Sequence, residues 1–215
     1  MNRRQRVVVN GVASDWRDVI SGVPQGSVLG PLLFVIYIND LPSCMENGSQ
    51  IYLYADDTKI FKAIEEENDC CRLQRDLNNM KKWTEKWLLS LHPDKSRYMR
   101  IGRTEVREGA YQLCNVIERS SAEKDIGVII EDKLKFSEHL AEKINKANEV
   151  VGIIRRTFIG LDAEMFKQLY TALVRPHSEY AYQVWNPYLI KDIEAVENVQ
   201  RRATRLLPNM KNLTL

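Results

Sequence analysis

Residues 51–61 read Ile51-Tyr52-Leu53-Tyr54-Ala55-Asp56-Asp57-Thr58-Lys59-Ile60-Phe61. β-Branched and aromatic residues flank the two aspartates, which predicts a β-hairpin with Asp56 and Asp57 at or beside its turn. Adjacent carboxylates repel each other unless a cation or hydrogen-bond donors compensate. A hard divalent cation such as Mg²⁺, which prefers oxygen ligands, suits such a pair. The alternative is an ordinary turn, because aspartate is a common turn residue.

Two further blocks lie upstream of this pair. Residues 21–34 read Ser21-Gly22-Val23-Pro24-Gln25-Gly26-Ser27-Val28-Leu29-Gly30-Pro31-Leu32-Leu33-Phe34, and residues 37–42 read Tyr37-Ile38-Asn39-Asp40-Leu41-Pro42. Together with the Tyr-Ala-Asp-Asp of residues 54–57, they closely resemble the B and C motifs of the reverse transcriptase of non-LTR (LINE-type) retrotransposons. Long blocks in the right order are far more specific than one short motif. The resemblance implies an RNA-directed DNA polymerase, a metal-dependent deoxynucleotidyltransferase.

The resemblance assigns the catalytic carboxylates to the predicted hairpin. Asp56 and Asp57 match the family's catalytic pair, with Asp56 as the direct metal ligand and Asp57 as its supporting partner. The implied cofactor is Mg²⁺, with Mn²⁺ as a substitute. In such polymerases two metal ions, about 3.5–4 Å apart, stabilise the attacking 3′-hydroxyl and the leaving pyrophosphate.

Other residues are assigned to substrate contacts through the same resemblance. Pro24, Gln25 and Gly26 match the part of the B motif that lines the nucleotide and template site, where a glycine lets the backbone approach a substrate closely. Tyr54 and Ala55 are expected near the primer terminus.

Two looser motifs follow. Lys95, in residues 91–96, matches the D-motif lysine, whose implied role is to protonate the leaving pyrophosphate; a solvated loop lysine is the alternative. Residues 125–130, followed by Leu134 and Phe136, resemble the E motif that positions the primer terminus. Gly127 is assigned there to substrate or template binding.

The order of predicted elements indicates an α+β fold. Strands and helices are mixed up to residue 133, and the pattern is helical from residue 134 to residue 215. This order predicts a partial antiparallel sheet with packed helices, followed by an all-α bundle. The resemblance identifies residues 1–133 as part of a polymerase palm and residues 134–215 as the helical thumb and connection.

Individual elements follow from local patterns. Runs of β-forming residues predict strands at 6–9, 17–20, 97–101, 111–117 and 125–130. An apolar run predicts a buried helix over 32–41, with Ser27 as a candidate N-cap. Helical spacing predicts an amphipathic helix of about 20 residues through Leu73, Leu77, Met80, Trp83, Trp87 and Leu91. Further helices are predicted through Leu140, Ile144, Ala147, Val151 and Ile154, then after an Asp162 cap, then through Ile193, Val196, Ala203 and Leu206.

Charge and cysteine content narrow the choice of protein class only slightly. The net charge is +2, so no global field indicates nucleic acid. In residues 134–215, helical arginines at 155, 156, 201, 202 and 205 are candidates for phosphate contacts; solvated helix faces are the alternative. Four cysteines show no disulfide or zinc spacing, which fits a reducing compartment, and no apolar run is long enough to span a membrane.

One expected motif is missing from the matched pattern. The family's A motif carries a third metal-binding aspartate and normally precedes the B motif, but only 20 residues precede Ser21, and Asp15 and Asp18 do not form such a block. The chain is therefore expected to be a fragment, without the N-terminal fingers and palm or the endonuclease, and inactive by itself. The alternative is a non-catalytic nucleic-acid-binding remnant or a decayed element product.

Partners and location also follow from the resemblance. It implies an RNA template, a DNA primer, their RNA–DNA hybrid and deoxynucleoside triphosphates, with no membrane. It also implies an intracellular ribonucleoprotein found in the cytoplasm and nucleus.

Overall fold

The computed structural model describes residues 3–20, 22–23, 26–102, 110–113, 115–207 and 210, with the backbone only at residue 93. The chain forms two compact units. Unit 1 comprises residues 1–95 and 105–117, and unit 2 comprises residues 96–104 and 118–215. The predicted boundary at residue 133 therefore falls inside unit 2, because the strands that precede it pack on the helices that follow.

Unit 1 begins with a hairpin made of two short ladders. Strand β1 (Arg4–Gln5) pairs with β4 (Arg17–Asp18), and β2 (Val8–Val9) pairs with β3 (Val12–Ala13). The connecting turn is Asn10-Gly11, and both residues have positive φ, 51° and 80°. Asparagine and glycine tolerate this conformation best, so the dipeptide sets the register of the hairpin. Of the strands predicted at 6–9 and 17–20, only Val8–Val9 and Arg17–Asp18 form, and they pair with β3 and β1 instead of with each other.

Helix α1 (Gly30–Ile38) follows, and its burial differs from the prediction. The Ser27 hydroxyl accepts a hydrogen bond from the Gly30 amide at 3.0 Å, but the N-cap residue is Leu29, so the prediction of Ser27 as N-cap was wrong. Only Ile38 is buried, whereas Val35 and Ile36 are 58% and 63% exposed. The expectation of a buried helix was wrong, because a helix that is apolar on every face can bury only the face that meets a neighbour.

The long helix of unit 1 is α2 (Glu67–Lys86), as predicted. The Asp69 carboxylate accepts hydrogen bonds from the Glu65 and Glu66 amides, both at 3.1 Å, and so caps the first turn. The buried residues of the predicted stripe are Leu77, Met80 and Trp83. The helix ends at Lys86, before the predicted stop at residues 92–93, because Leu88 adopts a left-handed conformation.

The later strands are shorter than expected. Strand β7 (Arg97–Tyr98) pairs in parallel with β8 (Glu118–Arg119), and β9 (Ala122–Asp125) pairs antiparallel with β10 (Val128–Glu131). The prediction of a continuous strand over 125–130 was wrong, because Ile126 and Gly127 form the β9–β10 turn, both with positive φ. Between 111 and 117 only an isolated bridge joins Gln112 to Val116, and residue 114 lies outside the described residues.

Unit 2 is completed by helices. These are α3 (Ser137–Thr157), α4 (Ala163–Leu169), a π-helical segment (Tyr170–Val174), α5 (Arg175–Glu179), α6 (Tyr182–Trp185) and α7 (Ile190–Thr204). One residue, Arg175, separates the π segment from Pro176, which cannot donate an amide hydrogen bond and clashes with the preceding turn. The Asp162 carboxylate accepts from the Met165 amide at 2.8 Å, so the predicted cap is confirmed.

Two apolar clusters hold unit 2 together. The larger joins α3 and α7 through Ala147, Val151, Ile154, Val199 and Ala203, together with Leu161 and Val174. The smaller joins Val128 of β10 to Leu140 of α3 and to Trp185. The predicted α3 stripe therefore forms the core. No helix within the described ranges is both long and apolar enough to cross a lipid bilayer.

The smaller cluster surrounds a fully buried histidine. His139 Nδ1 accepts a hydrogen bond from the Ile129 amide at 3.2 Å, and its ring lies 5.4 Å from the Trp185 ring. Burial lowers the pKa of His139, and the positive charges of Lys143 and Lys124 lower it further, with Glu142 opposing. The imidazole is therefore neutral in the folded chain at neutral pH.

This burial predicts a loss of stability in mild acid. The unfolded chain protonates His139 near pH 6.5, whereas the folded chain resists protonation, so unfolding takes up a proton below that pH. The free energy of unfolding is expected to fall between pH 7 and pH 5.5, with a slope of at most about 1.4 kcal/mol per pH unit from this group. Urea unfolding at several pH values measures the slope. His139→Gln, which keeps an acceptor, should flatten it; a slope as steep in this variant as in the parent chain would contradict the prediction.

Candidate active site

The aspartate pair lies at the end of a tight hairpin in unit 1. Strand β5 (Gln50–Tyr54) pairs antiparallel with β6 (Asp57–Phe61), with Tyr54 opposite Asp57, so Ala55 and Asp56 are the two turn residues. Ile51 and Leu53 are half-buried, while Tyr52 and Tyr54 are exposed. The predicted hairpin and its turn are confirmed.

Both carboxylates are exposed to solvent. Asp56 lies in the turn, and Asp57 begins β6 on the same face as Tyr54, because residues directly opposite in a ladder share a face. No hydrogen bond or ion pair joins either carboxylate to another residue in the described part of the chain. The turn therefore brings together Tyr54, Ala55, Asp56 and Asp57 with both anions available to a ligand.

The turn is held in a strained conformation at one residue. Ala55 has φ 51°, in the left-handed region that a side chain with a Cβ atom disfavours. Glycine or asparagine would fit this position better. The sequence therefore keeps an alanine where the hairpin geometry favours another residue, directly beside the carboxylates.

The ends of the hairpin are anchored to α2 by a buried carboxylate. Asp76 is fully buried and accepts hydrogen bonds from the Asn47 amide at 3.0 Å, the Asn47 side-chain amide at 2.9 Å and the Ser49 amide at 3.3 Å. Lys62, directly after β6, donates to the Asn47 carbonyl at 2.7 Å. The segment that leads into β5 is thus tied both to α2 and to the residue that follows β6.

Asp76 is charged in this setting. None of the sequence motifs assigns a role to this residue. Burial raises its pKa, but the hydrogen bonds from Ser49 and Asn47 outweigh burial and bring the pKa below its ordinary range. A signal was present, since Asp76 falls on the apolar stripe of α2 between Leu73 and Leu77. A lone carboxylate on a core stripe needs buried donors.

The structure describes only some of the other predicted site residues in unit 1. Gly26 has φ 80°, a backbone angle that favours glycine, and its role in substrate binding remains a prediction. Pro24 and Gln25 lie outside the described residues. Lys95 ends a short 3₁₀ turn (Pro93–Lys95) and is exposed, and no ion pair joins it to a carboxylate within the described ranges.

Gly127 belongs to unit 2, where packing alone explains the glycine. It has φ 79° in the β9–β10 turn, and a Cβ atom there would lie 3.1 Å from the Tyr180 ring. The Tyr180 hydroxyl also donates to the Ile126 carbonyl at 2.7 Å. A role in substrate binding for Gly127 remains a prediction.

The donor set suits a divalent cation only in part. Two adjacent carboxylates supply the oxygen ligands that Mg²⁺ and Mn²⁺ prefer. No group of three or more histidine, cysteine, aspartate or glutamate side chains comes together among the described residues. Asp56 and Asp57 can therefore contribute to a metal site, and the described part of the chain adds no third ligand from these residue types.

The exposed carboxylate pair lies within a region of the chain whose family sequence comparison identifies. A sequence profile of the family described as "Reverse transcriptase (RNA-dependent DNA polymerase)" matches residues 4–146, which include α1, the β5–β6 hairpin and α2. The chain belongs to the reverse transcriptase family.

Three curated relatives from Drosophila melanogaster carry the assignment further. The "Probable RNA-directed DNA polymerase from transposon X-element" is 24% identical over 99% of this chain, and the chain covers 25% of it. The "RNA-directed DNA polymerase from mobile element jockey" is 25% identical over 94% of this chain, with 23% of it covered. The "Probable RNA-directed DNA polymerase from transposon BS" is 26% identical over 96% of this chain, with 24% of it covered.

These relatives confirm the predicted resemblance to the polymerases of non-LTR retrotransposons. The chain spans about a quarter of the length of each of them. No solved structure matches the chain.

Loss of the Asp76 carboxylate should destabilise the hairpin. Asp76→Ala leaves the Asn47 and Ser49 donors buried without an acceptor, which should lower the free energy of unfolding by about 1–3 kcal/mol. The contribution of Asp76 should also fade below about pH 4, since a depressed carboxylate pKa stabilises the fold only while the group stays charged. Urea unfolding measures both effects. Glu85→Gln, on the exposed side of α2, is the control and should change little; equal losses in the two variants would refute the anchor.

Relief of the turn strain should stabilise the chain. Ala55→Gly removes the Cβ atom that disfavours φ 51°, and should raise the free energy of unfolding by about 1 kcal/mol. Ala63→Gly is the control, because Ala63 is not among the residues with positive φ and should only gain flexibility when unfolded. Thermal unfolding of both variants measures the difference. The strain assignment fails if Ala55→Gly destabilises as much as Ala63→Gly does.

Proposed function

We propose that this chain is the part of a non-LTR retrotransposon RNA-directed DNA polymerase that carries the metal-binding hairpin and the helical region after it. One observation carries the proposal: Asp56 and Asp57 lie exposed and unpaired, among the described residues, on a hairpin that Asp76 anchors. A surface turn gains nothing for its own stability from adjacent anions, so their placement favours binding of a cation.

Four residues of unit 1 have separate tasks in the proposed mechanism. Asp56 would hold a divalent cation, Mg²⁺ or Mn²⁺, with Asp57 supporting it from the first residue of β6. A cation held there would neutralise charge at the transferred phosphate. Tyr54, on the same face as Asp57, contacts the primer terminus, and Lys95 gives a proton to the departing pyrophosphate.

The helical region supplies contacts to the nucleic-acid backbone. Arg155 and Arg156 lie at the exposed end of α3, and no carboxylate partner for them occurs within the described ranges. Arg202 at the end of α7 donates to Asn148 of α3 at 3.1 Å, while Arg201 pairs with Glu197. We assign residues 134–215 to the thumb and connection and residues 1–133 to the palm, with the RNA–DNA hybrid bound to these arginines.

The proposed reaction places the chain in a ribonucleoprotein with defined partners. Its ligands are an RNA template, a DNA primer and deoxynucleoside triphosphates, and the complex acts in the cytoplasm and nucleus of the host cell. These assignments rest on the family and on the relatives' names.

Two carboxylates are fewer than the reaction needs, so this chain alone is proposed to be inactive. The described residues contain no cluster of three metal-binding side chains, and this favours a second candidate function, a nucleic-acid-binding remnant without catalysis. Binding to phosphates depends on arginines, which the chain retains, and not on the carboxylate set.

A primer-extension assay separates these two functions. The 215-residue chain should give no extension of a labelled DNA primer on an RNA template with Mg²⁺, and a longer chain that includes the A motif should extend it. In the longer chain, Asp56→Asn should reduce the rate at least several hundred-fold, because a lost metal ligand removes several kcal/mol of transition-state stabilisation. Glu123→Gln, an exposed charge change in β9, is the matched control and should leave the rate unchanged.

Two outcomes would change the assignment. Extension by the short chain alone, abolished by Asp56→Asn, would mean that this chain holds a further ligand, with Asp15 and Asp18 as the first candidates. Extension by neither chain would favour the binding remnant.

A further inference from the structure

The N-terminal hairpin carries an aromatic and basic face that the proposed mechanism does not use. The register of β1 and β4 places Arg4 opposite Asp18 and Gln5 opposite Arg17, so Arg4 and Asp18 lie on one face. Trp16, two residues before Asp18, lies on that face as well. The guanidinium carbon of Arg6 lies 4.8 Å from the centre of the Trp16 ring, and that of Arg4 lies 5.9 Å from it.

This face is open to solvent and has an excess of positive charge. Trp16 is 50% exposed. The charged residues of this face are Arg4 and Arg6 against Asp18. Arg4 pairs with Asp18 at 3.5 Å in an exposed ion pair that contributes little, and Arg6 has no carboxylate partner in the described part of the chain.

The geometry of the face suits a phosphate beside a base. A guanidinium group held over an indole ring is fixed in orientation, yet its N–H edge stays free to donate two hydrogen bonds to a phosphate. The exposed part of the indole can stack with any nucleobase, because every base has a flat aromatic surface. In a duplex the bases are already stacked on one another, so this face favours a single strand.

We propose that the face formed by Arg4, Arg6 and Trp16 binds single-stranded nucleic acid, with Arg6 on a phosphate and Trp16 stacked on a base. This adds a second nucleic-acid contact to those of the proposed function. The inference rests on the proposed function only for the choice of RNA as the first strand to test. The phosphate and base chemistry is common to RNA and DNA, so both strands are compared.

The test is a titration of the full chain with a fluorescein-labelled oligouridine of about twelve nucleotides, followed by anisotropy at several salt concentrations. Trp16→Ala should weaken binding roughly 5- to 100-fold, and Trp16→Phe, which keeps a stacking ring, should stay within about threefold of the parent. Arg6→Gln should lower the slope of log K against log salt by about 0.7.

Arg17→Gln is the matched control, because it removes the same charge from the opposite face of the same hairpin. Its effect on the affinity should be well below that of Arg6→Gln. An oligodeoxythymidine of equal length repeats the series; a similar loss with Trp16→Ala on both strands supports stacking that does not depend on the 2′-hydroxyl.

A parallel titration with an RNA–DNA hybrid distinguishes failure of this inference from failure of the proposed function. Arg155→Gln with Arg156→Gln should weaken hybrid binding, and the hairpin variants should affect the single strand more than the hybrid. Equal effects of Arg6→Gln and Arg17→Gln, with no effect of Trp16→Ala, would overturn the proposal in favour of non-specific charge. The proposal would also be overturned if the apparent binding came from self-association of the chain through its exposed hairpin valines, which would make it depend on protein concentration. If Trp16→Ala does not fold, as judged by urea unfolding, the comparison of Trp16→Phe, Arg6→Gln and Arg17→Gln decides.

Discussion

The hairpin that carries Asp56 and Asp57 depends on a third carboxylate, the buried Asp76. A two-stranded hairpin is marginal in water, and β5–β6 has no further strand beside it among the described residues. Asp76 compensates by accepting hydrogen bonds from the segment that leads into β5, and Lys62 ties the segment after β6 to the same place. The charge of Asp76 therefore positions the hairpin, while the carboxylates of Asp56 and Asp57 make no hydrogen bond or ion pair with the other described residues.

The other described ladders also depend on support from neighbouring elements. All described sheets are two-stranded ladders, so each depends on helices or on local turns for support. In unit 2, β10 rests on α3 through Val128 and Leu140, and the His139 ring accepts the Ile129 amide of that strand. Where no helix covers a ladder, as in the N-terminal hairpin, apolar and aromatic side chains remain exposed.

Helix α1 and the aspartate pair are both less enclosed by other described residues than their composition predicts. Helix α1 has the composition of a core helix, yet Val35 and Ile36 contact mainly solvent. The aspartate pair likewise has the chemistry of a metal site without a third ligand group among the described residues. Both features belong to a region that spans about a quarter of each curated relative.

The sequence by itself determined the family, the aspartate hairpin and the main helices, because these depend on local order: the B and C motifs, the alternation in 51–61 and the stripes of α2 and α3. It also indicated the Asn10-Gly11 turn. Only the tertiary structure decided which stripe residues are buried, that Ile126-Gly127 interrupts a strand, and that Asp76 anchors the hairpin. The reason is physical: periodicity states which face of an element is apolar, whereas burial and hydrogen bonding depend on neighbours that are distant in sequence.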